Sequence, residues 1–215
     1  MRLIELFEQQ VQSRSKANDG TVPEVFIIES LSLADEAKER REGAVLASVL
    51  KMCGKKPLYY YIRTRVELEY LAKEFENTGY RYLHISCHGG EDSLETTFDS
   101  VSYEDFASIF SDRLGSRRLF VSACSAGNDR FAELIYKKNR KLNSVVAPAD
   151  DIRFDHAVAF WTGFYVKLFS INAKAMNSEK ISGVLKSLCV LFSVSIHWSK
   201  KRKNGGAIMH EIVTQ

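Results

Sequence analysis

Two apolar runs of strand length stop abruptly at a reactive side chain beside glycine. Tyr82 to Cys87 runs into His88-Gly89-Gly90, and Leu119 to Ala123 runs into Cys124-Ser125-Ala126-Gly127. Short apolar runs bounded by glycine read as strands buried on both faces. In a parallel α/β sheet, ligands bind in the crevice outside the carboxyl ends of the strands. His88 and Cys124 lie 36 positions apart in the sequence, which leaves room for one crossover helix between neighbouring parallel strands. Neighbouring strands of this kind would deliver both side chains to one edge. A histidine beside a cysteine is the minimum apparatus for thiolate nucleophilic catalysis.

The rest of the chain alternates in the same manner. Apolar runs at Val25–Glu29, Leu58–Ile62 and Ser144–Pro148 read as further strands, the last cut off by its own proline. Between them the pattern predicts a helix from Leu33 to Cys53, with Asp35 and Glu36 early and Gly54 just past the end, and a second from Arg65 to Asn77 stopped at Gly79. Early acids and a late glycine match the polarity of a helix. Ser102-Tyr103-Glu104-Asp105 opens another helix to about Leu114, and Asn128 or Asp129 caps one over Arg130–Lys141. Glu91–Ser100 reads as a loop with a small hairpin over the strand edge. Asp155–Phe169, carrying Phe160, Trp161, Phe164, Tyr165 and Phe169 at helical spacing, reads as a core or interface helix, followed by one over Ser178–Leu191. Ser193–Ser199 and Ala207–Val213 flank Lys203-Asn204-Gly205-Gly206, a hairpin signal. Residues 1–20 are expected to form a short helix and a polar loop. Strands alternating with helices imply βαβ units and a mainly parallel sheet, with a single domain over residues 1–215.

Composition narrows the partners. A net charge of +3 over 215 residues is too mild to imply nucleic acid. Lys200-Lys201-Arg202-Lys203 is read as a solvated hairpin tip, because no aromatic side chains interleave with it. No apolar run reaches membrane-spanning length, and the acids at Glu5 and Glu8 interrupt any signal-peptide core. Cys53, Cys87, Cys124 and Cys189 lack metal-type spacing, which favours reduced thiols and a cytoplasmic location. No metal and no cofactor is expected.

The chemistry follows from the two strand ends. The thiolate is the nucleophile, and histidine can both withdraw its proton and return it to a leaving amine. Backbone N–H groups near Gly89 and Cys124 are placed to hold a developing oxyanion. Cys53, Cys87, Cys189 and His84 are read as structural, His84 with a further place as a donor beneath the site.

At these residues the chain resembles the caspase-like cysteine peptidases, and within them the CHAT branch. His84-Ile85-Ser86-Cys87-His88-Gly89 is similar to the family's H-x-x-G-H-G block, with Cys87 where glycine is usual. Ser122-Ala123-Cys124-Ser125-Ala126-Gly127 is similar to its S-A-C-x-x-G nucleophile block, and Phe164-Tyr165-Val166-Lys167-Leu168 to an F-Y-x-x-L helix end. The resemblance implies an α/β, three-layer caspase-like domain: a mainly parallel central sheet, helices on both faces and a C-terminal β-hairpin. It implies His88 as general base and acid, Cys124 as nucleophile, a protein or peptide substrate, and a regulatory partner of the kind found in bacterial defence or cell-death pathways. Ser122 stands where caspases carry glutamine, so aspartate specificity is not implied. The region after the fifth strand lines the primary specificity pocket in this resemblance, and Asp150, Asp151 or Asp155 there would select a basic residue. Asp155 has the competing role of capping the next helix.

Two other readings compete. Cys124 to Arg130 also spells C-x₅-R, the phosphate loop of tyrosine phosphatases, although Asp129 would repel a phosphate dianion. The caspase-like domain can also serve as an interaction scaffold whose cysteine and histidine are idle.

Overall fold

The computed structural model describes residues 20–201 and 207–214. The helix expected near the N-terminus and the Lys203–Gly206 turn lie outside the described residues. Strands β1 (Val22–Glu29), β2 (Leu58–Tyr61), β3 (Tyr80–Ser86), β7 (Arg118–Ser122), β8 (Ser144–Pro148), β9 (Ile196–Lys201) and β10 (Ile208–Val213) form one sheet in the order β10-β9-β8-β7-β3-β1-β2. The five strands β1, β2, β3, β7 and β8 pair parallel; β9 joins antiparallel to β8, and β10 antiparallel to β9. The mainly parallel sheet with a C-terminal hairpin is the architecture expected from the sequence.

Helices cover both faces. On one lie α2 (Glu42–Met52), α6 (Phe154–Ile171) and α7 (Ser178–Phe192), packing Leu46, Phe160, Trp161, Phe164 and Leu185 against Ile27, Tyr82, Phe120 and Val146. On the other lie α3 (Arg65–Thr78), α4 (Tyr103–Ile109) and α5 (Asp129–Lys138), packing Leu71, Phe75, Phe106, Phe131 and Ile135 against Phe26, Leu83, Val121 and Val145. Alternate residues of one strand therefore serve opposite cores, which is why these strands read as continuous apolar runs. Phe120 shows the density of the first core: its ring lies 5.3 to 6.1 Å from those of Phe164, Tyr165 and Trp161. Among the described residues, no helix is long and apolar enough to cross a membrane.

Two features depart from the sequence reading. The loop after β3 is a separate small sheet of β4 (His88–Gly89), β5 (Ser93–Glu95) and β6 (Ser100–Ser102), antiparallel throughout. The hairpin anticipated there is present, and His88 belongs to it. The helix expected from Leu33 to Cys53 is broken: α1 (Leu33–Glu36) ends in a turn through Glu39, whose φ is +54°, before α2 begins at Glu42. The break separates two carboxylates that would otherwise share one helix face, Asp35 at the sheet edge and Glu42 in the core. A pattern of apolar spacing cannot reveal such a turn, because Leu46 and Leu50 keep helical spacing beyond it.

Gly43 explains how α2 meets the sheet. A Cβ at this position would lie 3.0 Å from Ile27 and 3.1 Å from Glu29, so a side chain here would press on both and glycine lets the helix start approach without displacing them. Its N–H donates to Oε1 of Glu29 at 2.7 Å, while the Tyr59 hydroxyl donates to Oε2 at 2.7 Å. Burial raises the Glu29 carboxyl above its ordinary pKa, and these two hydrogen bonds offset only part of that rise. Folding thus binds this proton more tightly than the unfolded chain does, so the fold loses stability as pH rises through the raised pKa. Urea unfolding at pH 5 and pH 8 should show Glu29→Gln gaining stability relative to wild type at pH 8. Equal differences at the two pH values would refute this assignment.

Candidate functional site

The pairing of β3 with β7 builds the site. Leu83 faces Leu119 and Ser86 faces Ser122 in parallel register, and the Cys87 N–H donates to Ser122 O at 3.0 Å. His88 and Cys124 each follow their last paired residue by two positions, so both emerge at the same carboxyl edge. Gly89 keeps them close: a Cβ there would lie 2.5 Å from the Cys124 carbonyl oxygen and 2.9 Å from the Ala123 side chain. The two strand ends meet backbone to backbone.

His88 is held from two sides. Its Nε2 lies 2.7 Å from Oδ2 of Asp35, and its ring meets Phe154 edge-on at 5.4 Å. Asp35 is itself tied down: the Ser32 hydroxyl donates to Oδ2 at 2.6 Å, and Arg40 donates to Oδ1 at 2.9 Å. Ser32 also caps α1, accepting the Asp35 N–H. Burial works against the ionised Asp35, yet the bonds from Ser32, His88 and Arg40 outweigh it and lower its pKa. A carboxylate accepting from Nε2–H fixes the tautomer, so the ring presents Nδ1 as its basic nitrogen. Sequence reasoning missed Asp35 and Phe154. Ser32-x-x-Asp35 is a visible capping signature, but nothing local links it to a histidine 53 positions away.

Cys124 sits half-buried at the head of a tight loop, its thiol directed at the Ile152 carbonyl, 3.7 Å away. Ser125, the next residue, has φ +56°. A non-glycine residue in this region persists only when its surroundings dictate it. Here Ser125 N–H donates to Asp150 O at 3.3 Å, and its hydroxyl donates to Oδ1 of Asp151 at 3.2 Å. Gly127 is wedged beneath β8, where a Cβ would lie 2.5 Å from the carbonyl oxygens of both Ala147 and Pro148. The segment 150–152 therefore lines the nucleophile loop.

The structure sorts the three aspartates singled out by sequence. Asp151 and the exposed Asp150 lie beside Ser125 through the contacts just given. Asp155 stands apart at the start of α6, gripped by Arg153 at 2.7 Å and accepting the His156 N–H at 3.0 Å. The Arg153 guanidinium and the His156 N–H outweigh slight burial and bring the Asp155 carboxyl down to about 2. Arg153 and Asp155 line an open cleft with Arg40, Arg41 and Phe154, so that cleft has mixed charge.

Beneath the edge lies a buried polar chain. Glu42, only 2% exposed, accepts from the Ser122 hydroxyl at 2.8 Å and lies 3.3 Å from Nε2 of His84. Nδ1 of His84 is 3.2 Å from the Tyr165 hydroxyl. One donor order satisfies every member: Tyr165 donates to His84, and His84 and Ser122 donate to Glu42. His84 thus has the donor position beneath the site that the sequence suggested. Burial pushes the half-buried Cys87 thiol's pKa upward, which disfavours its thiolate.

The loop geometry bears directly on the phosphatase alternative. The N–H groups of Ser125, Ala126, Gly127 and Asn128 donate to the carbonyls of Asp150, Ala123, Pro148 and Ala126. Arg130 pairs with Glu104 at 3.0 Å. A phosphate cradle needs those N–H groups and that arginine free and convergent. Neither condition is met.

No protein-family profile matches the sequence, and no curated protein matches it. Solved structures do. The fold is similar to that of a secreted C11 cysteine protease from Bacteroides thetaiotaomicron, iotapain (TM-score 0.57, 11% identity), covering 84% of this chain and 67% of that one. It is similar to caspase-1 from Spodoptera frugiperda (0.51, 11% identity), covering 82% of this chain and 80% of that one. It is also similar to the Arg-specific cysteine proteinase gingipain R (0.54, 13% identity), covering 91% of this chain but about half, 47%, of that one. At such identities the likeness is one of fold.

If Asp35 orients the imidazole, Asp35→Asn should slow alkylation of Cys124 at neutral pH at least about tenfold, since the wrong tautomer is then tolerated. Arg40→Ala, which leaves the carboxylate in place, should cost less. Alkylation followed by intact mass measures both, and an unchanged rate in Asp35→Asn would remove Asp35 from the site.

Proposed function

We propose that this chain, which has the caspase-like fold, is a cysteine endopeptidase. The observation that carries the reading is the shared edge of His88 and Cys124, with Nε2 of His88 secured by Asp35. In this reading Nδ1 of His88 takes the thiol proton, and the Cys124 thiolate attacks the carbonyl carbon of the peptide bond. The oxyanion is received by backbone N–H groups near Gly89 and Cys124. His88 then returns the proton to the departing amine, and water, deprotonated by the same ring, releases the acyl group from sulfur. Rotation of the Cys124 side chain away from Ile152 is part of the cycle, since its thiol rests on that carbonyl.

Selection of a basic residue before the cleaved bond is the finer part of the proposal. Asp151 and Asp150 support it, because they border the nucleophile loop and are exposed, whereas Asp155 is neutralised by Arg153. The gingipain similarity agrees, as that protein is Arg-specific. Control by a regulatory protein partner, in a defence or cell-death setting, rests on the motif likeness to the CHAT branch.

Intact-mass labelling with an arginyl peptidyl electrophile tests the reading. Wild type should take one adduct, Cys124→Ala none, and His88→Ala should label about 10²- to 10⁴-fold more slowly. Labelling that survives His88→Ala undiminished would refute the dyad. Absence of any adduct, with or without cell extract, would favour the idle scaffold. Equal labelling by a neutral analogue would sink the basic specificity while leaving the peptidase intact, and no loss of arginine preference in Asp151→Asn would remove Asp151 as its selector.

A further inference from the structure

A second cluster of reactive side chains lies where the C-terminal hairpin meets α5. His197 is on β9 and His210 on β10, with His210 opposite Ser199 and Ile212 opposite His197. The two imidazoles are thus diagonal neighbours on one face, ring centroids 5.3 Å apart. Asp129, the first residue of α5, projects onto both. Its Oδ1 lies 2.8 Å from Nε2 of His197 and 3.1 Å from Nδ1 of His210.

We propose that Asp129, His197 and His210 bind a divalent transition-metal cation of the zinc type, with a fourth position open to solvent. The three ligand atoms lie within 4.8 Å of one another. Tetrahedral zinc with bonds of about 2.0–2.1 Å sets its ligand atoms about 3.3 Å apart. Two of the three edges, at 2.8 and 3.1 Å, are already near that value. Two imidazoles and one carboxylate suit zinc, cobalt or nickel, whereas magnesium and calcium prefer oxygen donors. Entry is from the Asp129 side, since its side chain is 67% exposed while that of His197 is 3% exposed.

Ser199 completes the arrangement. Its hydroxyl lies 3.4 Å from Nδ1 of His197 and 2.9 Å from Nδ1 of His210. When Nε2 of His197 coordinates, its proton must reside on Nδ1, and Ser199 Oγ is there to accept it, giving up its contact with Nδ1 of His210 as that nitrogen's lone pair turns to the cation. The bound cation stitches the sheet's last hairpin to the helix that follows the nucleophile loop.

Cobalt titration of the full chain tests this, because cobalt reports its ligands by colour and the exposed Cys53 and the Cys124–His88 edge offer competing thiols. One equivalent should produce ligand-field bands with no thiolate-to-metal charge-transfer band, and Cys124→Ala and Cys53→Ser should leave them unchanged. His210→Ala, at a partly buried position, and Asp129→Ala, at an exposed one, should abolish them. Absence of bands, their survival in His210→Ala and Asp129→Ala, or their loss in Cys124→Ala would each overturn the proposal.

Discussion

Five parallel rungs, from Tyr82–Arg118 to Ser86–Ser122, tie β3 to β7, and the placement of His88 and Cys124 depends on them. Successive residues of a strand face opposite cores, so a one-residue slip would turn Leu83 and Ile85 out of one core, Tyr82 out of the other and His84 away from Trp161 and Tyr165. The same slip would part His88 from Cys124. The register is therefore enforced by apolar burial over both strands, not by the site itself. Gly89 and Gly127 finish the work, because each lies where a Cβ would strike a backbone carbonyl at 2.5 Å. Glycine here lets strand ends and loop meet closely enough for two side chains to share one edge.

Beneath that edge the protein accepts a costly interior. Glu29, Glu42 and His84 are all essentially buried, and desolvating an ionised group costs several kcal/mol unless its partners are well placed. The partners are present: Gly43 and Tyr59 for Glu29, Ser122 and His84 for Glu42, Tyr165 for His84. The rings of Phe120, Trp161, Phe164 and Tyr165 pack against one another around the polar chain. Ser122, two residues before Cys124, couples this chain to the nucleophile strand, so the polar interior and the reactive edge are one construction.

How much of this could be read in advance differs by residue. His88 and Cys124 were legible because each ends an apolar run and precedes glycine, and both signals are local. The strand and helix order was legible for the same reason. The break between α1 and α2 was not, since the left-handed turn at Glu39 uses no glycine and the apolar spacing continues past it. Asp35 was visible as an early helical acid, yet its bond to His88 spans 53 positions. At Asp155 the sequence is compatible with a selector or a cap; the structure commits it to Arg153 and the His156 N–H, an outcome settled within two residues.

The sequence by itself determined the layering, the strand order along the chain, and the two residues that end the central strands. These follow from periodicity, two-sided burial and glycine, all of which act over a few residues. Tertiary structure alone decided which carboxylate holds which imidazole: Asp35 with His88, Glu42 with His84, Asp129 with His197 and His210. Hydrogen-bond partners are chosen by distance and direction after the sheet has closed. Side chains far apart in the chain carry no mark of one another until packing sets them a few ångströms apart.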